Sequence, residues 1–116
     1  MYSTKNFSAD ELVCKCCGKH GMQKEAVDLL QKVRDIVGRP LQITSAYRCE
    51  NHPVESRKEK PGTHNQGIAI DIYATNGAER YEIITAGLKV GATGIGVAKK
   101  FVHLDFRDGV PVCWTY

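Results

Sequence analysis

The chain has 116 residues, of which 42% are hydrophobic and 25% are charged, and its formal net charge at neutral pH is +3. This size and composition are those of a globular protein, and we expect a single domain over residues 1–116 that buries its own core. The charge suits an anionic partner but is too weak to indicate nucleic-acid binding, and no apolar run is long enough to span a membrane.

The first thirteen residues predict a short structured segment rather than a signal peptide. They carry Lys5, Asp10 and Glu11 and lack the apolar stretch that a signal peptide needs. We therefore expect synthesis in the cytoplasm, or export that depends on something outside this sequence. Ser8 and Glu11 have the spacing of a capping box, which predicts one turn of helix at this point.

The cysteines are odd in number: Cys14, Cys16, Cys17, Cys49 and Cys113. An odd count argues against a fully paired disulfide framework. Free thiols or one disulfide are the interpretations that we favour. The alternative is a structural metal site formed by the first three cysteines with His20 and with Cys49 as a further ligand, although C-x-C-C is not the spacing of a standard zinc knuckle.

Hydrophobic periodicity predicts an α+β fold. Residues 23–37 carry an apolar stripe at helical spacing that ends before Gly38 and Pro40, and residues 77–90 form a second helix that Asn76 caps. The predicted strands are Leu41–Tyr47, Gly67–Ala74 and Phe101–Arg107, and residues 93–98 form a Gly-rich strand or turn. A long loop covers 49–66. We expect the helices to pack on a mainly antiparallel sheet.

Two polar residues lie on the best-defined strands. Asp71 is a carboxylate among apolar neighbours, and His103 lies between Val102 and Leu104. Taken singly, Asp71 could be a salt-bridge partner and His103 a satisfied core or surface residue. With His64, which precedes the first of these strands, they have the composition of a catalytic zinc shell that leaves one position open to water. Zinc would make that water a nucleophile near neutral pH.

Four segments resemble one family, in the same order along the chain. Residues 64–71, which read HNQGIAID, are similar to the H-x-x-G-x-A-x-D motif of the zinc D-alanyl-D-alanine carboxypeptidases and their murein endopeptidase relatives. Residues 101–107, FVHLDFR, resemble the F-V-H-x-D-x-R ending of the phage-type branch of that family. Residues 45–48, SAYR, are similar to its S-G-Y-R segment, and residues 6–16 to its opening.

The resemblance implies a Hedgehog/DD-peptidase fold and hydrolysis of amide bonds in bacterial murein stem peptides, by a carboxypeptidase or an endopeptidase. It implies that His64, Asp71 and His103 bind zinc. It also places Arg48 at the substrate, where a guanidinium can stabilise a developing oxyanion; a surface salt bridge is the alternative. We expect a murein peptide as partner, no nucleic acid or membrane, and a monomer that acts on the cell wall after phage-type release or within a virion.

The chain departs from the family pattern at three positions. Gly62 replaces a serine, Ala46 replaces the glycine of S-G-Y-R, and Lys100 replaces an acidic general base. A protonated lysine cannot accept a proton from water, as the carboxylate of a general base does. Lys100 therefore favours the alternative function, a non-catalytic zinc-containing binding or structural module such as a phage tail component.

The position of Asp105 makes it a candidate for the missing base. It lies two residues from His103 on the same strand face. We predict that it assists the water at the zinc directly or by orienting His103. A structural pair with Arg107 is the alternative, in which case the base would come from the 49–62 loop, whose carboxylates include Glu50, Glu55 and Glu59.

Overall fold

The computed structural model describes residues 2–57 and 62–116. Its α-helices are α1, Lys24–Val37, and α2, Gly77–Lys89, and its strands are β1, Ile43–Ser45, β2, Ala69–Tyr73, β3, Gly94–Val97, β4, Phe101–Asp105, and β5, Val112–Thr115. Short 3₁₀ helices cover Ala9–Leu12 and Glu55–Arg57. Within the described residues, no helix is both long and apolar enough to cross a membrane.

Helix α1 follows the predicted apolar stripe and ends where the sequence indicates. Its buried residues are Ala26, Val27, Leu30 and Val33. Gly38 has a φ of +77°, a left-handed conformation that favours glycine, and its N–H donates to the carbonyl of Arg34. This cap stops the helix before the chain turns towards β1.

Helix α2 begins at a side-chain cap and packs closely on the sheet. The side chain of Asn76 accepts a hydrogen bond from the backbone N–H of Glu79 at 2.9 Å. Further along, a Cβ atom added at Gly87 would lie 2.8 Å from the Cδ2 atom of Leu104 on β4. Glycine therefore lets the helix backbone approach the central strand.

The five strands form one mixed sheet in the order β1-β2-β4-β3-β5. Strand β4 pairs antiparallel with both β2 and β3, and β1 pairs antiparallel with β2. Strand β5 runs parallel to β3. The predicted α+β class with a mainly antiparallel sheet is confirmed, and the parallel edge strand is the departure from it.

Alternation along β2 and β4 gives the sheet two different faces. The residues that face the helices are each at most 1% exposed: Ile70, Ile72, Val102 and Leu104. The opposite face, called the site face below, carries the buried polar residues Asp71, His103 and Asp105. The apolar face secures the sheet, so the site face can hold polar groups in fixed positions.

The structure differs from the sequence prediction mainly at strand ends. The strand predicted over Leu41–Tyr47 is only Ile43–Ser45, and its register against β2 shifts between Ile43 and Ser45. Strand β5 was not predicted at all. Residues 49–57 of the predicted loop contain one turn of 3₁₀ helix, and Glu59 lies outside the described residues.

Candidate metal centre

One row of residues crosses four strands on the site face. Asp71 on β2 pairs with His103 on β4, His103 pairs with Gly96 on β3, and Gly96 pairs with Trp114 on β5. A Cβ atom at position 96 would lie 2.7 Å from the indole Nε1 of Trp114. The missing side chain therefore lets the indole reach His103, and the two ring centroids are 5.0 Å apart.

His64 enters the site from the turn that precedes β2. This turn includes Gly67, whose φ of +76° favours glycine, and a Cβ atom there would lie 2.1 Å from the carbonyl oxygen of Gly21. Both the conformation and the lack of space require glycine. The glycine of the sequence motif therefore sets the path of the chain between His64 and the strand that carries Asp71.

The two imidazoles present opposite ring nitrogens to the same carboxylate. Nδ1 of His64 lies 2.6 Å from the carbonyl oxygen of Ala46, so it donates there and leaves Nε2 to face Oδ1 of Asp71 at 3.2 Å. Nε2 of His103 lies 2.7 Å from Oδ2 of Asp105, which leaves Nδ1 3.0 Å from Oδ1 of Asp71. Each histidine therefore hydrogen-bonds through one ring nitrogen to a separate partner, Ala46 or Asp105, and directs the other ring nitrogen at Asp71.

These three residues fit a zinc ion. The ligand atoms of His64, Asp71 and His103 lie within 4.8 Å of one another, and the three side chains are buried. Two imidazole nitrogens and one carboxylate oxygen are a donor set that catalytic zinc sites use, with the fourth position left for water or substrate. The partner on the far side of each histidine fixes the ring, as zinc-binding histidines require.

Hydrogen bonding keeps Asp71 ionised although it is buried. Burial by itself would raise the pKa of Asp71, but without a metal its contacts with the imidazoles of His103 and His64, when these are protonated, lower the pKa to about 2. Burial would lower the pKa of His103, but hydrogen bonds to Asp105 and Asp71 raise the pKa above its usual value. The carboxylate is therefore in the form that can bind a cation.

Asp105 lies behind His103 and is fully buried. Arg107 binds it through two nitrogens, Nε to Oδ1 at 2.9 Å and Nη2 to Oδ2 at 2.7 Å. Burial would raise the pKa of Asp105, but the hydrogen bonds from Arg107 and His103 hold it below its usual range. Both predicted structural contacts of Asp105 are present, to His103 and to Arg107. The predicted direct contact with a water in the site does not fit a carboxylate with no exposed surface.

The strands on either side of Asp105 leave room for its carboxylate. Asp105 pairs with Ala69 on β2 and with Gly94 on β3. A Cβ atom at Gly94 would lie 2.2 Å from Oδ1 of Asp105. The small residue at position 69 of the motif and the glycine at position 94 together make the space in which Asp105 supports His103.

Arg48 lies beside Asp71 at the edge of the same site. Its Nη2 is 3.4 Å from Oδ2 of Asp71, and its Nε donates to the hydroxyl of Ser45 at 3.1 Å. Only 17% of its side chain is exposed. These contacts hold a permanent positive charge next to the three candidate ligands, in agreement with the predicted position of Arg48.

A cavity of about 570 Å³ opens over the candidate ligands. His64, Asp71 and His103 line it, and Arg48 lies on its border. Another part of its lining is aromatic and is called the aromatic wall below: Phe101, Trp114 and Tyr116. This volume is in the range of small-molecule and peptide sites in enzymes.

Two residues of the aromatic wall were missed in the sequence. Trp114 belongs to β5 and Tyr116 follows it, with ring centroids 6.5 Å apart. The ring of Tyr116 also lies 5.0 Å from that of Phe101. The alternation of Val112, Trp114 and Tyr116 was the available signal, because a period of two is typical of a strand.

A comparison with protein families identifies the chain. The sequence profile of the family described as peptidase M15 matches residues 5–105. The chain belongs to the peptidase M15 family. Peptidase M15 proteins are zinc-dependent metallopeptidases that act on peptides, which agrees with the donor set of the site and confirms the resemblance to the zinc D-alanyl-D-alanine carboxypeptidases. A search of curated proteins found no match.

The peptidase M15 match does not cover the whole cavity. Arg48 and the three candidate zinc ligands fall within residues 5–105, as does Asp105. Arg107, Trp114 and Tyr116 lie beyond the matched range.

Lys100, which stands where the resemblance predicts an acid, does not line the cavity. Lys100 is exposed in the turn before β4, and its carbonyl accepts from the N–H of Ala74. Glu50 is exposed, 3.9 Å from Lys19, and Glu55 is buried with its carboxylate on the N–H of Gly62. Among the described residues that line the cavity, Asp71 carries the one carboxylate.

Proposed function

We propose that this peptidase M15 protein hydrolyses amide bonds in murein stem peptides, with zinc held by His64, Asp71 and His103. The convergence of these three ligands on one side of an open cavity carries the proposal. A zinc ion bound there would activate water as a nucleophile and polarise the carbonyl of the scissile amide.

The chain's own residues prepare the site for this reaction. The carbonyl of Ala46 fixes the tautomer of His64, and Asp105 fixes that of His103, so the correct nitrogens face the cation. Arg107 holds Asp105 in place through two hydrogen bonds. Asp105 is therefore a positioning residue, which acts through His103 without touching substrate. Arg107 supports Asp105, and its side chain also lines the cavity.

Arg48 is the residue that we assign to the substrate. Its guanidinium borders the cavity beside Asp71, where a substrate carboxylate or the developing oxyanion of the amide can accept from it. The net charge of +3 favours approach to an anionic cell-wall polymer. The aromatic wall offers flat apolar surface against which the substrate chain can pack.

The finer assignments rest on the same residues. We propose the Hedgehog/DD-peptidase fold, because the two central strands carry its zinc motifs at paired positions. We propose a phage-type protein that reaches the wall on release or within a virion, which the likeness of residues 101–107 supports. We also propose a single-domain monomer without nucleic-acid or membrane partners, and the net charge of +3 is too weak to indicate nucleic-acid binding.

A non-catalytic module is the second candidate. The observation that favours it is the lining of the cavity, where the described residues offer no carboxylate apart from the candidate ligand Asp71. Hydrolysis needs a group that takes a proton from water and returns it to the leaving amine. A protein that binds murein peptides through zinc and Arg48 would not need that group.

Digestion of purified murein, followed by mass spectrometry of the released peptides, tests the proposal. A carboxypeptidase releases single terminal residues, whereas an endopeptidase releases stem-peptide fragments, so the products also identify the bond. Peptide binding without any product from the zinc-loaded protein would contradict the proposal and favour the binding module.

A further inference from the structure

Four of the five cysteines converge at a second place in the molecule. Cys14, Cys16 and Cys17 lie in the segment that follows the first 3₁₀ helix, and Cys49 lies after β1. Their sulfur atoms all lie within 4.8 Å of one another, and the Sγ atom of Cys16 is 3.4 Å from those of both Cys14 and Cys49. His20, considered with this group from the sequence, lies instead 3.3 Å from Asp10.

The spacing of the sulfur atoms agrees with coordination of a common ion. In a tetrahedral zinc site with Zn–S bonds of about 2.3 Å, neighbouring sulfur atoms are about 3.8 Å apart. A disulfide would bring one pair to about 2.05 Å and leave the others unbridged. All five cysteines are free thiols in this structure, which agrees with one of the two interpretations favoured from the sequence, and the other, one disulfide, is absent.

The backbone around the cluster is arranged for charged sulfur. The N–H of Cys49 donates to Sγ of Cys14 at 3.3 Å. The N–H of Gly18 donates to the carbonyl of Cys14, and the carbonyl of Lys19 accepts from the N–H of Cys14, which closes a tight turn. Gly18 has a φ of +74°, the left-handed conformation that such a turn requires of glycine.

The surroundings of the four cysteines favour the binding of a cation. Cys14 and Cys49 are buried in a small apolar cluster with Tyr47, and Met22 packs against them. Thiolates brought together in apolar surroundings repel one another and lose hydration, so they need a metal to compensate. Cys16 and Cys17 are exposed, so an ion can reach the site from solvent.

We propose that Cys14, Cys16, Cys17 and Cys49 bind a second zinc ion with a structural role. Four thiolates complete the tetrahedral shell and leave no position for water or substrate. The ion links the segment before α1 to the chain directly after β1. The segment directly after β1 carries Arg48 and also Ala46, whose carbonyl accepts from His64. The second ion therefore stabilises one edge of the candidate metal centre.

Zinc analysis of the full chain tests the proposal, with one variant for each site. Wild type should hold two zinc ions per chain, and His64→Ala should keep one. Cys17→Ser, which changes an exposed ligand, should also keep one, whereas the exposed Cys113→Ser is the matched control and should keep two. One zinc in wild type that Cys17→Ser does not remove would overturn the proposal.

Two further readouts do not depend on peptidase activity or on the fate of a variant. Cobalt substitution of His64→Ala should give the intense charge-transfer absorption of thiolate ligands, and Cys17→Ser should weaken it strongly. In zinc-loaded wild type, one thiol, Cys113, should react with a thiol reagent, and all five should react after chelation and unfolding. Five reactive thiols in the native zinc-loaded protein, or a mass lower by one pair of hydrogen atoms per chain, would contradict the assignment. Failure of murein hydrolysis leaves these outcomes unchanged.

Discussion

Replacing Asp105 by asparagine should weaken zinc binding without touching a ligand. In the native protein the carboxylate accepts from Nε2 of His103 at 2.7 Å and from Arg107 at 2.7 and 2.9 Å. An asparagine offers one acceptor oxygen and one donor NH₂ group. If its NH₂ group faces His103, Nε2 must accept, and the ring proton moves to Nδ1, the atom that faces Asp71.

The opposite orientation of the amide is no better. With its oxygen on His103, its NH₂ group faces the guanidinium of Arg107, and two donors meet in a site where position 105 is fully buried. Loss of a histidine's supporting partner typically lowers metal affinity by about 10- to 100-fold, or about 1.4–2.7 kcal/mol. We expect the free energy of unfolding of the metal-free protein to fall by about 1–3 kcal/mol, because Arg107 is partly exposed and can regain hydration.

Competition with a chromogenic chelator measures the zinc affinity of the candidate metal centre in a Cys17→Ser background, which removes the proposed second site. Asp108→Asn is the matched control, because it removes an exposed carboxylate from the same segment and should leave the affinity unchanged. Urea unfolding of the metal-free proteins gives the stability. Equal zinc affinity in the two asparagine variants would refute the role of Asp105 as the support of His103.

Three further predictions follow from contacts around the site. Arg48→Lys should lower kcat about tenfold or more with a smaller change in KM, because lysine keeps the charge but loses the paired donors of the guanidinium group. An unchanged kcat in steady-state kinetics would show that Arg48 takes no part in the reaction. Gly94→Ala should lower the free energy of unfolding in urea by about 1–3 kcal/mol, since its Cβ would lie 2.2 Å from Oδ1 of Asp105. Gly77→Ala is the control and should be close to neutral, because no neighbouring atom would lie nearer than 4.0 Å. Equal losses of stability in the two variants would contradict this packing. In the Cys17→Ser background, which leaves the candidate metal centre as the one proposed zinc site, zinc at about 100 times its dissociation constant should stabilise the protein against unfolding by about 2.7 kcal/mol. A melting temperature that does not respond to zinc would contradict binding to the folded state.

The main features of the fold and of the candidate ligands could be predicted from alternation in the sequence. Asp71 and His103 each lie in a strand whose large apolar residues occupy the alternate positions. Alternation along each strand therefore places both polar residues on the face opposite to the apolar one, whatever the order of the strands. The strand order and the pairing of Asp71 with His103 came only from the structure. Sequence spacing does not fix which strands are neighbours.

The supporting residues were harder to predict, because their roles depend on contacts between distant segments. The sequence around Gly94 and Gly96 predicts a Gly-rich strand or turn. It does not show that glycine is needed at both positions because Asp105 and Trp114 occupy the space that a side chain would take. The ring nitrogen that Asp105 holds depends on the rotamer of His103, which a sequence does not contain. The same holds for the cysteines, whose convergence needs the fold.

The function of Asp105 illustrates the limit most clearly. Its sequence distance from His103 allowed either direct action on water or support of the histidine. Burial and the bidentate contact with Arg107 favour the supporting role, and both are properties of the folded chain. The same folded chain places Lys100 at the protein surface, away from the cavity lining.

Hydrolysis of purified murein by one protein preparation, before and after zinc removal and after zinc is restored, tests the zinc peptidase most directly. The wild type should release peptides, lose this activity on chelation and regain it with zinc, while His64→Ala should keep its cysteine-bound zinc and release none. Release at the wild-type rate by His64→Ala, or by the zinc-free protein, would contradict the assignment of His64, Asp71 and His103 as the catalytic zinc site.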